Sequence, residues 1–168
     1  MPTTPPALTY SGVKYIAQGV RRFYWTVTVA TLSSPTRAEM VAGVDLTGTP
    51  GAAGSLFDAT GWASTQNFVP VPDFGTKIVG KIPGTADLAD SSLVFYASST
   101  SADVRAVLTD NLQGYIIILE EGDVPGQKMD AFKVQVGAVT VDQSLGNPAQ
   151  VTVPFGIFAT AKNITIPA

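Results

Sequence analysis

The stretch AQVTVPFGIFAT, residues 149–160, has the most regular pattern in the chain and indicates its fold class. Apolar side chains alternate with polar or small ones, and only Phe158 breaks the alternation. A period of two predicts a β-strand with one buried face. Pro154 cannot donate a hydrogen bond to a neighbouring strand, so we expect it at an edge or a bulge. The residues predicted on the buried face are Val151, Val153, Phe155 and Ile157.

Comparable patterns occur along most of the chain. Residues 21–32, RRFYWTVTVATL, are rich in aromatic and β-branched side chains, which favour strands. Further strands are predicted at 62–71, 76–82, 91–99, 114–119 and 129–142. These segments predict a mainly β fold, a sandwich or barrel with one flanking α-helix, in a single domain that covers residues 13–168.

Two short helices are predicted between the strands. Thr36 and Glu39 have the spacing of a capping box, so a helix is expected at 36–42. The flanking helix is expected at 101–113, with Ser101 as its N-cap and an apolar stripe along one side.

Two segments lack the periodicity of strands or helices. Residues 1–12 contain three prolines and predict an extended N-terminal arm. Residues 43–61 are glycine-rich and predict a long loop, a kind of segment that is commonly functional when it occurs inside a compact domain. Leu56 and Phe57, near the end of this loop, are apolar and could dock it onto another surface.

Composition excludes several classes of function. The 168-residue chain contains no cysteine and no histidine, which excludes disulfides, Cys/His zinc sites and catalytic triads with a histidine base. The net charge of −3 disfavours binding to nucleic acid, because attraction to phosphate would be missing. The apolar run 116–119 is too short to span a bilayer. We therefore expect no cofactor, no metal and no membrane insertion.

The charged fraction is low. It is 14%, whereas a soluble domain usually has about 25%. Such a surface is easier to explain if other subunits cover much of it.

The stretch KIPGTADLADSSLVFYASS, residues 81–99, is the best candidate for catalysis. Asp87 and Asp90 could form a carboxylate pair of the glycosidase type. The stretch also fits a turn between two strands, residues 84–92, in which Asp and Ser side chains satisfy backbone groups. We favour the turn and predict that the protein is not an enzyme.

Five segments, taken in order, carry a resemblance to a known family. They are SPTRAEMVAGVDLTG, GWASTQNFVPVPDF, KIPGTADLADSSLVFY, GYIIILEEGDVPGQKMDAFKVQVGAVTVDQ and QVTVPFGIFATAKNITIPA. In this order they resemble the major tail tube proteins of long-tailed, siphovirus-type bacteriophages, especially those of actinobacterial hosts. The resemblance covers nearly the whole chain.

The resemblance implies a structural role in the virion. Subunits would form hexameric rings, and the rings would stack into a hollow tube that guides DNA from capsid to cell without binding it specifically. The expected partners are other copies of the chain and the tail tip, tape-measure and terminator proteins, with assembly in the host cytoplasm. A loop such as 43–61 would reach a neighbouring ring. Its proposed contact residues are Leu46, Thr47, Pro50, Leu56 and Phe57.

The acidic balance of the chain suggests a channel wall on which carboxylates outnumber basic groups, and Asp130 and Asp142 are proposed there. Three alternatives stay open: the inner tube of a contractile injection machine, a capsid decoration protein and a carbohydrate-binding β-sandwich. A tube protein polymerises by itself, whereas a decoration protein only coats capsids, and a glycan array without binding excludes the carbohydrate-binding alternative.

Overall fold

The fold is known from a computed structural model, which describes residues 20–48, 56–75, 77–99 and 103–168. The predicted arm, residues 1–12, and residues 49–55 of the predicted loop lie outside these ranges. The predicted mainly β fold is confirmed, because strands make up most of the secondary structure.

The strands form one large antiparallel sheet and one separate hairpin. The large sheet has the order β2-β1-β7-β8-β10-β6-β3, with β9 paired to β10, and the hairpin consists of β4 and β5. The strands are β1 Arg22–Thr26, β2 Val44–Asp45, β3 Leu56–Thr60, β4 Ser64–Val71, β5 Gly80–Leu88, β6 Ser91–Tyr96, β7 Gln113–Leu119, β8 Lys128–Val136, β9 Thr140–Asp142 and β10 Gln150–Thr165. The helical segments are α1 Arg37–Val41 and a 3-10 helix, Val104–Ala106.

Strand β10 contains the stretch with the strict alternation and occupies the middle of the sheet. Its first part pairs with β6 and β9, and its second part pairs with β8. Pro154 lies opposite the gap between the end of β8 and the start of β9, where no ladder hydrogen bond is required of it. A bulge falls between Ile157 and Ala159, at Phe158, the residue that breaks the sequence alternation.

The large sheet buries apolar side chains on both faces. On the first face there is one core, to which seven of the strands and the 3-10 helix contribute buried or partly buried side chains. Its aromatic and aliphatic residues include Phe23, Phe95, Ile116 and Phe132. On the second face, a smaller core forms where α1 covers β7 and β8. The buried residues of this smaller core are Met40, Ile117, Leu119, Met129, Ala131 and Ile166. The continuous apolar run 116–119 is explained by this double coverage.

Helix α1 confirms the capping-box prediction. The backbone N–H of Glu39 donates to the Thr36 hydroxyl, and the Glu39 carboxylate accepts the backbone N–H of Thr36. Only Met40 of the helix is buried, so the helix rests on the sheet through one side chain.

The flanking α-helix predicted at 101–113 is wrong. Residues 103–113 contain only the 3-10 helix, and β7 already begins at Gln113. The Asp103 side chain caps this short turn, and Asn111 adopts a left-handed conformation, φ 64°, that ends any helical path. Val104 and Leu108 are buried, so the apolar spacing that suggested a helical stripe reflects a single compact turn.

Several other boundaries differ from the prediction. The loop predicted at 43–61 contains β2 and β3 at its two ends, because Val44 pairs with Trp25 and Leu56 pairs with Phe95. The strand predicted at 76–82 begins only at Gly80. The strand predicted at 21–32 ends at Thr26, and Val27 is exposed. The strand predicted at 129–142 is two strands, because the chain leaves the ladder at Gly137, which lies against Pro154. The turn predicted at 84–92 is strand as far as Leu88, so only two residues connect β5 to β6.

Asp103 is buried and holds the 3-10 segment to the end of β6. The side-chain hydrogen bonds from Arg105, 2.6 and 2.8 Å, lower the pKa of Asp103 to about 2, and the backbone N–H groups of Ser98 and Arg105 add to the effect. A carboxyl whose pKa is lower in the folded protein stabilises the fold above its unfolded pKa and loses this contribution as the pH falls through its folded pKa.

We therefore expect Asp103→Asn to lower the free energy of unfolding at pH 7 by about 1.5–3 kcal/mol, the range for hydrogen bonds to charged groups. The difference from the wild type should shrink between pH 4 and about pH 2, where the wild-type carboxyl becomes protonated. Urea unfolding at pH 7, 4 and 2.5 measures this. A difference that stays constant over that pH range would show that the carboxylate charge contributes nothing.

Candidate assembly interface

A long hairpin leaves the large sheet and is the most exposed structured part of the described chain. Strand β3 continues through residues 61–63 into β4, and β5 continues through residues 89–90 into β6. The pair β4–β5 therefore extends the β3–β6 pair beyond the sheet. Every residue of β4 is exposed, and so are most residues of β5.

The base of the hairpin is tightly built. Gly61 has a φ of 81°, and a Cβ there would overlap the carbonyl oxygen of Asp90, so only glycine fits. The Ser91 hydroxyl donates to the Gly61 carbonyl at 2.9 Å, and the hydroxyls of Thr60 and Ser92 are 2.8 Å apart. These contacts fix the position at which the hairpin leaves the sheet.

Trp62 anchors the hairpin base to the core. Its ring centroid lies 5.3 Å from that of Phe132 and 5.4 Å from that of Phe155, and its indole N–H donates to the Ser92 carbonyl. Lys162 of β10 donates to the Ser64 hydroxyl at 3.1 Å. The hairpin thus starts from a rigid base, although its outer part projects.

The outer half of the hairpin is apolar on both faces. Directly paired residues of an antiparallel ladder share a face, and successive residues alternate between faces. One face carries Val69, Val71 and Ile82; the other carries Phe68, Pro70 and Pro83. The exposed fractions are 57% for Phe68, 49% for Val69 and 55% for Ile82. An isolated two-stranded hairpin is marginally stable in water, so this half needs a covering surface.

The outer edges of the hairpin are poorly suited to strand addition. Pro70 lies opposite Lys81, and Pro83 lies opposite Phe68. Because proline has no N–H, these are non-hydrogen-bonded pairs, in which backbone nitrogens point away from the partner strand. Each outer edge therefore lacks one donor that a further strand would need. The hairpin can make contacts through its two faces more readily than through its edges.

The carboxylates of the hairpin make local contacts. Asp87 accepts a hydrogen bond from the Asn67 side chain across the hairpin at 2.8 Å, and Asp73 accepts the backbone N–H of Gly75. Among the described residues, no group of three or more Asp or Glu side chains is arranged to hold a metal ion. The contacts of Asp87 and Asp73 are those of polar side chains that stabilise a hairpin and its turn.

Sequence comparison identifies the family of the chain. A family described as phage tail tube protein matches residues 9–168. The chain belongs to the phage tail tube protein family. The resemblance seen in the five sequence segments is thereby confirmed, and this tail tube protein is a structural component of a phage tail.

Two solved structures with TM-scores above 0.5 show the same fold. A chain of the anti-feeding prophage (AFP) baseplate, 6-fold symmetrised, has a TM-score of 0.53 at 9% identity and covers 92% of this chain and 97% of its own. A chain of the AFP tube terminating cap has a TM-score of 0.52 at 13% identity and covers 96% and 99%. The SPP1 tail tube has a TM-score of 0.48 at 12% identity and covers 88% and 78%. A comparison with curated proteins finds no significant match.

The five residues predicted to contact a neighbouring ring do not share one environment in this tail tube protein. Leu46 is fully buried in the core of its own subunit, so its side chain offers no surface to a neighbour. Thr47 bonds to Asp45 through its hydroxyl and its backbone N–H. Pro50 lies outside the described residues. Leu56 packs against the core, while Phe57 is exposed on β3, 5.1 Å from the Tyr96 ring.

The two carboxylates predicted on the channel wall lie on opposite faces of the sheet. Asp130 shares the first face with Phe132 and accepts the backbone N–H of Asn163. Asp142 pairs with Gln150 on the second face and is exposed. A single channel wall formed by one face can therefore contain only one of them.

The residues predicted in the core of the last strand lie on the first face. Val151, Val153 and Phe155 are buried there, and Ile157 is partly buried at the border of the same core. The Phe155 ring also contacts Trp62, which links the core of this tail tube protein to the hairpin base.

Sequence reasoning missed the apolar outer half of the hairpin as a candidate site. The sequence predicts strands or strand ends at NFVPV and KIPG, but it does not indicate that their apolar residues are exposed on both faces. The sequence signal for this surface is a strand that contains proline and lacks alternation between apolar and polar residues. In this tail tube protein such a strand is apolar all round and projects into solvent.

Among the described residues, no helix is both long and apolar enough to cross a membrane.

Proposed function

We propose that this subunit assembles with itself into hexameric rings, and that the rings stack into a hollow tube through which DNA passes from capsid to host cell. Tail tip, tape-measure and terminator proteins bind the ends or the interior of this tube. Assembly takes place in the host cytoplasm. The role of the chain is structural, and no reaction is assigned to it.

The observation that carries this proposal is the projecting hairpin with apolar residues on both faces. Covering Val69 and Ile82 on one face and Phe68 on the other removes apolar surface from water, at about 25 cal/mol per Å². A monomer leaves this surface exposed. In a tube, neighbouring subunits cover both faces at once.

The shared fold supports the ring geometry. One similar structure is described as a 6-fold symmetrised baseplate and another as a tube terminating cap. A ring of six copies places equivalent contacts around a closed circle, and stacking repeats them along an axis. The same fold also occurs in the AFP particle. The inner tube of a contractile injection machine is the second candidate.

We propose that the uncovered part of the second sheet face lines the channel. This part lies beyond the area that α1 covers, on β8, β9, β10, β6 and β3. Among the described residues its charged side chains are Asp58, Lys133 and Asp142, so carboxylates outnumber basic groups. The other side chains there include neutral polar ones such as Gln135 and Thr152. Such a wall does not attract DNA, because its net charge has the same sign as the phosphates.

Sedimentation tests the proposal. Purified protein at high concentration should pellet as a large assembly without capsids, and added linear double-stranded DNA should stay in the supernatant at physiological salt. Protein that pellets only with capsids would identify a decoration protein. Protein that stays monomeric at all concentrations, or that retains DNA in the pellet, would contradict the proposal.

A further inference from the structure

We propose that the outer half of the hairpin of one copy seats in an apolar groove on the next copy, through the face that carries Phe68, Pro70 and Pro83. This inference rests on the proposed self-assembly and adds the acceptor surface.

The groove lies beside β1, where the chain turns away from the sheet and passes α1. Its volume is about 600 Å³, in the range that encloses a small organic molecule, so a few apolar side chains fit. It is bordered by β1, the start of β2, α1 and the segment after the 3-10 helix. The apolar residues that line it include Val27, Val29, Ala38, Ala42, Val44 and Leu112.

The electrostatics of the groove match those of this hairpin face. Glu39 is the one charged residue among the described residues that line the groove. Hydrogen bonds from the backbone N–H groups of Thr36 and Ala30 lower the pKa of Glu39, so its carboxylate is ionised at neutral pH. On the hairpin, Lys81 lies on the same face as Phe68, Pro70 and Pro83. Phe68 can enter the apolar part of the groove while Lys81 approaches Glu39 at its rim.

The positions of the two surfaces suit a head-to-tail contact. The groove is built around β1 and β2, the first strands in the sheet order, and the hairpin continues β3 and β6, the last ones. Each copy therefore offers one donor and one acceptor, at opposite ends of the sheet order. A contact between unlike surfaces repeats from copy to copy and gives a closed ring or a helical stack. The prolines on the hairpin edges agree with seating by a face, since strand addition is impaired there.

The absence of cysteine from the chain makes a cross-linking test clean. Two proteins are prepared, one with Lys81→Cys and one with Ala38→Cys; Ala38 is exposed on α1 beside Glu39. They are assembled separately and as a mixture, and then oxidised. We expect a covalent dimer in the mixture that is absent from either protein alone, because a disulfide needs Cα atoms within about 7 Å. A third protein with Leu145→Cys, exposed between β9 and β10 and away from the groove and the hairpin in sequence, replaces Ala38→Cys as the control and should give no such dimer.

The outcomes separate this inference from the proposed function. Assemblies that pellet normally but give no dimer from the Lys81→Cys and Ala38→Cys mixture overturn the groove as acceptor and leave self-assembly intact. Equal dimer yields with the Leu145→Cys control also overturn it, since they indicate random collision. Proteins that do not assemble, with the wild type likewise monomeric, overturn the proposed function and this inference together.

Discussion

Replacing the cross-strand pair Val69 and Ile82 by threonine should weaken assembly while the subunit stays folded. Threonine favours strands as valine and isoleucine do, so the hairpin itself is preserved. Both residues are about half exposed, and surface substitutions usually change stability by less than about 0.5 kcal/mol. Complete burial of an aliphatic side chain is worth about 1.5–3 kcal/mol, so covering the exposed half of each of these two contributes about half of that. The concentration needed for assembly should therefore rise by about 10-fold or more. Sedimentation across a concentration series measures it, together with the melting temperature.

A matched control uses two valines that are exposed to a similar degree but lie elsewhere. Val124 is 49% exposed in the turn after β7, and Val141 is 39% exposed on β9. The Val124→Thr and Val141→Thr double variant should assemble as the wild type does. If the hairpin variant also assembled at the wild-type concentration, the hairpin face that carries Val69 and Ile82 would not be an assembly contact.

Phe155→Ala should lower the free energy of unfolding by about 3–5 kcal/mol, the usual range for a buried aromatic residue. Phe155 is only 5% exposed, lies in the middle of β10 and contacts Trp62 at the hairpin base. Its removal leaves a cavity in the first core and loosens the anchor of the hairpin. Urea unfolding at low protein concentration, where the protein is monomeric, gives the value.

Phe158 provides the control within the same strand. It is 58% exposed and lies at the bulge, so Phe158→Ala should change the unfolding free energy by less than about 1 kcal/mol. If both variants lose the same stability, or if Phe155→Ala loses less than about 1 kcal/mol, the assignment of the two faces of β10 is wrong.

The fold could be predicted where local signals are strong. The alternation around Phe155 gave the central strand, and the spacing of Thr36 and Glu39 gave α1 with its cap. These signals act within a few residues, so no knowledge of distant contacts is needed. The helix predicted at 101–113 failed because Val104, Val107 and Leu108 have a spacing that fits one 3-10 turn as well as a longer helix. The Asp103–Arg105 contact and the left-handed conformation of Asn111 favour the 3-10 turn over the longer helix.

The candidate interface was harder to predict for a different reason. A sequence without polar alternation, such as NFVPV, normally indicates a strand buried on both faces. Whether the covering atoms belong to the same subunit or to a neighbour is not encoded in the pattern. Gly61 and Trp62 direct the strand away from the core, and their effect depends on contacts with Asp90, Phe132 and Phe155, which are remote in sequence. Leu46 shows the converse: it belongs to a glycine-rich stretch, yet it is fully buried in its own core.

Electron microscopy of the concentrated, purified protein tests the central claim, self-assembly into a hollow tube, most directly. The account predicts tubes of uniform width with a stain-filled channel and six-fold symmetry in cross-section averages, formed without any other phage protein. Monodisperse single subunits at every concentration, or solid fibrils without a channel, would contradict it.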